Sequence, residues 1–287
     1  MKIVMIKARG QNEKNRNFSE AECFKRALQR LKIDSILWGP GYPDFEEPLD
    51  NRAGREDAIL LLENYEEGGW IPDISKQKAL KLFWSIDSHC ALNAHLSLCK
   101  RLKINVVLNS TSSYVSHFKA WGRKCFWFPN ACPADIVYPL AIPKTHDVGF
   151  CGNYCNRKED IDFLSERHHL KTDIFVLGND MVRAINSYKI HWNKNIANDI
   201  NFRTFETLGC KTFLVTNETD RLGDLFDIGK HLVVYNGMKD CSEKINYYLT
   251  HETEREQIAE AGYRHTSSNH TYDIRTGQLL EILKKAM

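Results

Sequence analysis

The sequence has no long hydrophobic run, and none of its apolar stretches approaches the length of a membrane span. The opening stretch, MKIVMIKARG, has too short an apolar run for a signal peptide and is typical of a first β-strand. These two absences argue against a membrane-embedded or exported protein. We therefore expect a cytoplasmic protein with no membrane span.

A zinc-type cysteine pattern is also missing. The nine cysteines are scattered, and most lie within apolar runs. Two of them, in CGNYC (151–155), are separated by three residues, but no second pair completes a metal site. The Asp-x-Asp sequence at 160–162 lies in a predicted charged helix, where we interpret it as solvated surface. We expect reduced, mostly buried thiols and no bound metal.

The net charge is small, but the charges are unevenly distributed. The 287 residues carry a net charge of +2 and are 43% hydrophobic and 26% charged, which is typical of a globular protein of about two domains. Residues 1–32 hold nine Lys/Arg against three Asp/Glu, whereas residues 44–67 hold nine acidic residues against two arginines. The basic stretch could face an anionic ligand or nucleic acid, although such runs are more often solvated helix faces.

Strand-like and helix-like segments alternate along most of the chain. Short continuous apolar runs, such as DAILLLEN (57–64) and LKLFWSID (80–87), are typical of strands buried on both faces of a parallel sheet. In the second half, DIFVLGN (173–179) is predicted as a further strand. Parallel strands require crossover helices, which the intervening segments supply. A stretch with three prolines at 131–144 divides this pattern. The sequence therefore predicts an α/β protein with two Rossmann-like domains facing a cleft, at 1–140 and 141–270.

Polar residues suited to a phosphorylated ligand follow the predicted strands of the second half. Gly152 ends one strand, where a missing Cβ lets a phosphate approach the backbone, and Arg157 opens the next helix. Lys189 and Asn193 lie around the short strand of SYKIHWN. Because ligands of parallel α/β sheets bind at the carboxyl ends of strands, these residues are candidate ligand contacts.

The segment NDINFRTFETLGC (198–210) adds a predicted short helix that begins near Asn201. Free N–H groups at a helix N-terminus attract a diphosphate, Arg203 could bind phosphate through two N–H groups, and Glu206 could accept hydrogen bonds from ribose hydroxyls. The alternative is a surface ion pair between Arg203 and Glu206, worth only about 0.2–0.5 kcal/mol. Spacing alone favours this alternative, and the convergence of polar residues on one sheet favours the ligand site.

Four ordered motifs in the C-terminal half carry a family resemblance. FCGN (150–153), YKIHWN (188–193), NFRTFE (201–206) and the helical tail EREQIAEAGYRHTSSNHTYDIR resemble the group 1 glycosyltransferases of the glycosyltransferase-B fold, specifically the spore-maturation-like branch. The resemblance covers residues 146–283 and extends loosely into the first half through WSIDSH and FPNACPADIVYP. It implies that the final helix, 271–287, packs back on the first domain.

The resemblance also implies roles for individual residues. Glu206 would bind the donor ribose, Arg157 and Lys189 would neutralise the diphosphate, and Gly152 and Asn153 of FCGN would lie at the donor. Many relatives in the wider superfamily carry a second acidic residue eight positions before that glutamate, but this sequence has Asn198 there. The departure leaves the contact to the sugar hydroxyls, and therefore the sugar itself, unassigned.

The first half offers candidates for the acceptor side. Asp87 and His89 follow the buried strand LKLFWS, where either could act as a general base toward an acceptor hydroxyl. Alternatively, Asp87 caps the following helix and His89 lies in its first turn, and the two interpretations are about even. Gly10, after the first strand, is a further candidate for lining the ligand site.

Taken together, the residues and the resemblance predict a metal-independent glycosyltransferase that uses a nucleotide-sugar co-substrate linked to UDP or GDP and no other cofactor. The acceptor is unidentified, and nucleic acid is one possible acceptor class, for example modified bases in phage DNA. Two alternatives are a sugar-nucleotide epimerase and a non-catalytic module that binds nucleotide sugars.

Overall fold

The computed structural model describes residues 1–49, 52–55, 57–63 and 69–286. The chain forms two compact units, one made of Met1–Pro129 with Tyr272–Met287 and the other of Asn130–Thr271. Within these residues, ten α-helices connect or follow the strands and are numbered along the chain. They are α1 Glu20–Arg30, α2 Ser88–Arg101, α3 Val115–Ala120, α4 Lys158–His168, α5 Asn179–Ser187, α6 Phe202–Gly209, α7 Leu222–Leu225, α8 Gly237–Thr250, α9 Glu252–Asn269 and α10 Tyr272–Ala286.

The first unit is built on a six-stranded parallel sheet with the strand order β2-β1-β3-β4-β5-β6. Its strands are β1 Lys2–Ile6, β2 Asp34–Trp38, β3 Ala58–Leu62, β4 Leu80–Ser85, β5 Val106–Asn109 and β6 Lys124–Trp127. Every residue of β3 is buried, as the continuous apolar run predicts for a strand covered on both faces.

Helices cover this sheet through apolar faces. The buried residues of α1, among them Phe24, recur at helical spacing and pack on the core. The Phe24 ring meets the ring of Tyr272 edge to face, with the centroids 5.2 Å apart. Helix α10 therefore packs on α1 as part of the first unit, and its Leu279 and Leu283 are buried.

The second unit contains a five-stranded parallel sheet with the order β11-β10-β9-β7-β8. Its strands are β7 His146–Gly152, β8 Lys171–Ile174, β9 Tyr188–Asn193, β10 Phe213–Asn217 and β11 Val233–Tyr235. A Cβ on Gly149 would lie 2.3 Å from the ring of Tyr188, so glycine at this position lets the aromatic ring pack directly on β7.

The two parallel sheets with surrounding helices confirm the predicted α/β class with two Rossmann-like halves and a helical C-terminal region. One predicted strand is wrong in position. The apolar run DIFVLGN suggested a strand over 173–179, but β8 ends at Ile174. Phe175 has a positive φ of 54° and is 72% exposed, so its hydrophobic side chain does not enter the core.

Candidate functional site

The carboxyl ends of the second sheet contain a point where the strand order reverses. Strand β7 pairs with β8 on one side and with β9 on the other, so the loops that follow β7 and β9 lead away in opposite directions. Ligands of open α/β sheets bind in the crevice at such a reversal. The loop after β7 and the segment from β9 to α6 are therefore the natural place for a ligand in this unit.

Arg203 lies in the first turn of α6 and points to this edge. Its Nε donates a hydrogen bond to the carbonyl oxygen of Cys151, at 2.9 Å, and its Nη1 pairs with Oε2 of Glu206 one turn along the helix. Asn201 is the N-cap residue of this helix, and its side-chain oxygen accepts a hydrogen bond from the Thr204 N–H. The structure thus brings Arg203 and Glu206 together beside the end of β7.

The ion pair between Arg203 and Glu206 is buried rather than on the surface, since the two side chains are 20% and 8% exposed. Burial by itself lowers the pKa of Arg203, but the Glu206 carboxylate outweighs it and raises the pKa above its usual value. The alternative interpretation is therefore correct that Arg203 and Glu206 form an ion pair, but it is wrong that this pair lies on the surface. A buried pair with one fixed hydrogen bond to the backbone is a preorganised group.

Arg157 connects the two loops at the reversal. It lies at the N-cap position of α4, and its Nε and Nη2 donate to the carbonyl oxygen of Lys194, beyond β9, at 3.0 and 2.8 Å. Its Nη1 donates to Oδ1 of Asn153 at 3.1 Å. Burial, reinforced by the charge of Arg203, lowers the pKa of Arg157, as expected where two guanidinium groups share one site.

A cavity of about 320 Å³ opens beside this connection, lined by Tyr154, Asn156, Lys158, Glu159, Asp160 and Lys194. Lys194 donates to the carboxylate of Asp160 at 2.5 Å, and the Asp160 side chain is only 17% exposed. The interpretation of the Asp-x-Asp sequence as solvated surface is therefore wrong for Asp160. It holds for Asp162, which is more than half exposed and pairs with Lys158 along the helix.

Asn193 and Asn201 belong to a network of side-chain amides that also includes Asn195 and Asn217. Asn193 Nδ2 donates to Oδ1 of Asn195 and of Asn201, at 3.3 and 3.2 Å. Asn195 receives the N–H of Asn201 at 3.1 Å and donates its own N–H to Oδ1 of Asn217 at 2.6 Å. These contacts join the ends of β9 and β10 to the start of α6 and fix the position of Arg203.

The FCGN segment supplies the first turn after β7. A Cβ on Gly152 would approach the Phe150 ring to 2.9 Å, so the glycine is needed for packing whether or not a ligand binds. The exposed Asn153 uses its Oδ1 to accept from the Cys155 N–H at 3.1 Å as well as from Arg157. Both residues lie at the edge where the sequence predicted them.

Lys189 does not join these residues. It is the second residue of β9, and its Nζ pairs with Asp147, the second residue of β7, at 2.7 Å. It lies four positions before Asn193 at the carboxyl edge, roughly 13 Å along the strand. The placement therefore does not support a contact between Lys189 and a diphosphate bound beside Arg203.

In the first unit, Asp87 and His89 follow β4 at the carboxyl edge of the sheet. Asp87 occupies the N-cap position of α2 but makes no side-chain capping hydrogen bond, and His89 lies in the first turn of that helix. Nδ1 of His89 is buried and has no hydrogen-bond partner within the described residues. The capping alternative is thus right about the position of Asp87 and wrong about the bond its carboxylate would make.

Gly10 lies four residues beyond the end of β1. A Cβ there would meet no atom within 4 Å, so packing does not require glycine. Its carbonyl oxygen accepts a hydrogen bond from Nε of Arg16 at 3.0 Å. The strand order of the first sheet reverses between β1 and β3, so Gly10 follows a strand at that reversal.

Three buried polar residues escaped the sequence interpretation. His191 lies inside β9, where its Nε2 accepts the Cys151 N–H at 3.2 Å and its Nδ1 contacts Thr207 Oγ1 at 2.6 Å. Burial, with the charges of Arg203 and Lys144, lowers the pKa of His191 to about 3, so the imidazole is neutral. Glu63 and His95 lie together in the first unit. The available signal was a polar residue inside or directly after an apolar run.

The second unit also contains a cavity of about 780 Å³ that holds none of the predicted residues. It lies toward the amino ends of the strands and is lined in part by Lys144, Cys210 and Lys211. Much of Lys144 is exposed, but its Nζ donates a hydrogen bond to Oγ1 of the buried Thr212 at 2.8 Å. Burial of the ammonium group lowers the pKa of Lys144 to about 8.

Over the described part of the chain, no helix is both long enough and apolar enough to cross a bilayer. Within the same residues, no three His, Cys, Asp or Glu side chains converge in a way that could hold a metal ion. All nine cysteines are free thiols, and Cys90 and Cys155 are the exposed ones.

Comparison with known proteins shows what this chain is similar to. Residues 144–281 match the family described as glycosyl transferase-like. Spore protein CgeB of Bacillus subtilis (strain 168) is 31% identical to this chain over 97 residues, which are 32% of this chain and 29% of that protein. The matched segment therefore spans less than a third of the length of that relative.

Two solved structures share the fold along the whole chain. Sucrose-phosphate synthase from Thermosynechococcus elongatus has a TM-score of 0.70 at 10% identity, covering 99% of this chain and 98% of that one. The β-glucosyltransferase of phage T4, in complex with its UDP-glucose substrate, has a TM-score of 0.70 at 14% identity, covering 100% and 99%. Residues 144–281 are thus similar to the glycosyl transferase-like family, and the likeness to the solved structures shows that the chain has the glycosyltransferase-B fold.

Proposed function

We propose that this chain transfers a sugar from a nucleotide-sugar donor to an acceptor hydroxyl, with the donor bound at the carboxyl edge of the second sheet. One observation carries the proposal. The buried Arg203–Glu206 pair, at the start of α6, is tied to the Cys151 carbonyl beside the reversal between β7 and β9. The family match in residues 144–281 supports the reaction class, and this pair supports the place of the donor.

Arg157 and Arg203 supply positive charge on the two sides of the reversal. A donor diphosphate placed between their loops would meet guanidinium N–H groups and the N–H groups of the first turn of α6. Binding of the anion would also offset burial and the nearby charge of Arg203, which together lower the pKa of Arg157. We therefore assign the diphosphate to Arg157 and Arg203, without Lys189.

Glu206 is the candidate for the ribose. Its Oε2 is held by Arg203, whereas Oε1 has no hydrogen-bond partner within the described residues. A carboxylate with one fixed and one available oxygen can accept hydrogen bonds from the two hydroxyls of a ribose. The hydrogen bonds among Asn193, Asn195 and Asn201 fix the start of α6 and thereby help to hold Glu206 in place.

On the acceptor side we propose Asp87 as the general base, with His89 as the second candidate. Both follow β4 at the carboxyl edge of the first sheet, and the Asp87 carboxylate makes no capping hydrogen bond to α2. A carboxylate within reach of an acceptor hydroxyl can accept its proton as the hydroxyl oxygen attacks the sugar. We also propose that the arginines and the helix N-terminus replace a metal ion in stabilising the departing diphosphate.

The test begins with binding and ends with product. UDP-glucose is the first probe, because it is the substrate of the phage T4 neighbour, and a GDP sugar and free nucleosides complete the panel. A ligand at a hundred times its Kd stabilises the protein by about 2.7 kcal/mol, a Tm shift of about 5 °C for a chain of this size. Product is then followed with and without EDTA.

Released nucleoside diphosphate and a glycosylated or hydrolysed sugar, unaffected by EDTA, would support the proposal. An isomerised sugar nucleotide without acceptor would indicate an epimerase instead. Tight binding with no turnover against any acceptor would indicate a binding module. An absolute requirement for a divalent cation would contradict the assignment of the leaving-group charge to Arg157 and Arg203.

A further inference from the structure

Glu63 is a buried carboxylate directly after β3, at the strand reversal of the first sheet. The residue is 4% exposed. Its Oε2 accepts the backbone N–H groups of Ile86 and Asp87, at 2.5 and 2.9 Å. Its own backbone carbonyl accepts a hydrogen bond from Nζ of Lys7, which follows β1. One residue thus links the carboxyl ends of three neighbouring strands.

His95 extends this link into α2. Its Nε2 lies 3.4 Å from Oε1 of Glu63, and its Nδ1 lies 2.8 Å from Oγ of Ser85. Oγ of Ser85 lies 2.5 Å from Oγ of Ser88, which accepts a hydrogen bond from Nδ2 of Asn109 at 2.6 Å. The polar contacts therefore run unbroken from the end of β3 to the end of β5.

The segment that these contacts hold carries the proposed base. Ile86 donates its N–H to Glu63, and its carbonyl oxygen accepts a hydrogen bond from Oγ of Ser110 at 2.8 Å. Asp87 donates its N–H to the same carboxylate. Both peptide groups that lead into the start of α2 are therefore fixed from the side of the neighbouring strands.

Stabilisation of the fold alone does not explain why a charged carboxylate, that of Glu63, is buried at this position. Burying a carboxylate is unfavourable unless it is fully hydrogen-bonded, and apolar replacements of buried polar clusters are often as stable. Burial works to raise the pKa of Glu63, but hydrogen bonding by His95 and the two N–H groups lowers it, so the group is ionised at neutral pH. Ser85 has no exposed surface, which rules out a role for this Glu-His-Ser set in nucleophilic attack on a substrate.

We propose that Glu63, supported by His95, is a positioning residue that holds the Ile86–Asp87 backbone so that Asp87 and His89 present their side chains to the acceptor. The inference rests on the proposed function and deepens it. A misplacement of about 1 Å at a reacting group lowers turnover about a hundredfold. A carboxylate that fixes the two backbone amides before α2 would prevent such a misplacement of Asp87.

The chain offers a matched control for the test. Asp57, at the other end of β3, also accepts two backbone N–H groups, from Lys2 at 2.7 Å and Gly54 at 2.8 Å. Glu63→Ala and Asp57→Ala therefore each remove one carboxylate and two amide contacts from the same strand. Three quantities are measured on both variants: hydrogen exchange of the Ile86 and Asp87 amides, UDP-glucose affinity, and the rate of UDP-glucose turnover with water as acceptor.

For Glu63→Ala we expect about tenfold faster exchange at Ile86 and Asp87 and about a hundredfold lower kcat, with unchanged UDP-glucose affinity. Asp57→Ala leaves all three quantities near those of the wild type. Glu63→Gln keeps an oxygen on the two amides and restores most of the turnover. If Glu63→Ala does not fold, Glu63→Gln is compared with His95→Leu instead. We then expect slower turnover and faster amide exchange in His95→Leu, and neither change in Glu63→Gln.

Unchanged exchange at Ile86 and Asp87 in the folded variants would overturn the proposal, as would equal losses of kcat in Glu63→Ala and Asp57→Ala. If the wild-type protein neither binds nor turns over any nucleotide sugar, the proposed function fails. The exchange measurement would then still show whether Glu63 holds the segment.

Discussion

Arg157 donates two hydrogen bonds to a single acceptor, the carbonyl oxygen of Lys194, and so joins the loop after β7 to the loop after β9. This bond pair crosses the point at which the strand order of the second sheet reverses. The guanidinium group therefore links the two loops and places a positive charge beside the proposed diphosphate site.

Replacing Arg157 by alanine should harm the binding of UDP far more than that of uridine. Loss of a charge-assisted contact to phosphate corresponds to about 1.5–3 kcal/mol, or about ten- to a hundredfold in Kd. Isothermal calorimetry on both ligands measures the difference. Arg167→Ala, on the same helix with its guanidinium over the Phe163 ring, is the control and should leave both affinities unchanged. Equal losses for UDP and uridine would remove the phosphate assignment.

The Glu206→Gln variant tests the ribose assignment. The amide retains the shape but loses the charge, so we expect UDP-glucose affinity to fall about tenfold or more. Tm should also fall, because Arg203 is left buried without its counter-ion. The exposed Glu218→Gln serves as the control. A lower Tm with unchanged UDP-glucose affinity would leave the pair a purely structural role.

For Asp87→Asn and His89→Gln we expect a separation of binding from turnover. Loss of a general base lowers the rate by about 10²–10⁴, whereas the donor, which we propose to bind in the second unit, should keep its Kd. Any change of Tm in Asp87→Asn should not include the loss of a helix cap, because the side chain makes no capping hydrogen bond to α2. Normal turnover in both variants would remove the proposed base from the first unit.

Particular residues show which strands could be predicted from the sequence and which could not. Continuous apolar runs located β3 and β4 to within a residue or two, and the alternation with helices established the parallel sheets. The same criterion misplaced β8, because Phe175 is hydrophobic yet exposed in a backbone conformation with positive φ. Apolar composition shows which residues can be buried, and it does not show which of them are.

Some residues of the candidate site could likewise be placed from the sequence, and others could not. The position of Arg203, Glu206 and Arg157 after strands could be predicted, since carboxyl ends of parallel strands share one edge. Lys189 was assigned to that edge because it lies near a strand, but the exact start of β9 places it at the opposite end beside Asp147. Glu63 and His95 are 32 positions apart, and only the pairing of β3 with β4 brings them together.

His191 should make the protein sensitive to acid. Its folded pKa of about 3 lies below the usual value, so between about pH 6.5 and pH 3 the unfolded chain binds a proton that the folded chain does not. Stability is therefore greatest above this window and falls as the pH decreases, by about 2 kcal/mol between pH 7 and pH 5. Urea unfolding of His191→Gln should show a smaller pH dependence. Exposed His251→Gln is the control, and an unchanged slope in His191→Gln would contradict the prediction.

Lys144 should react early with amine-directed acylating reagents. With a pKa of about 8, about half of its amine is unprotonated at pH 8, compared with well under one per cent for an ordinary lysine. Peptide mapping after brief acetylation should find Lys144 modified before Lys230, whose side chain is 67% exposed. Slower modification of Lys144 than of Lys230 would show that the amine remains charged.

The path of the chain makes the second unit an insertion within the first. Entry and exit lie side by side, because Cys132 pairs with Thr271 and its N–H donates to the carbonyl of His270 at 2.8 Å. The first unit is completed only by α10, with Leu279 and Leu283 in its core. A gene that stops after residue 140 therefore encodes an unfinished domain, whereas one that joins residue 129 to residue 272 through a short linker encodes a whole one.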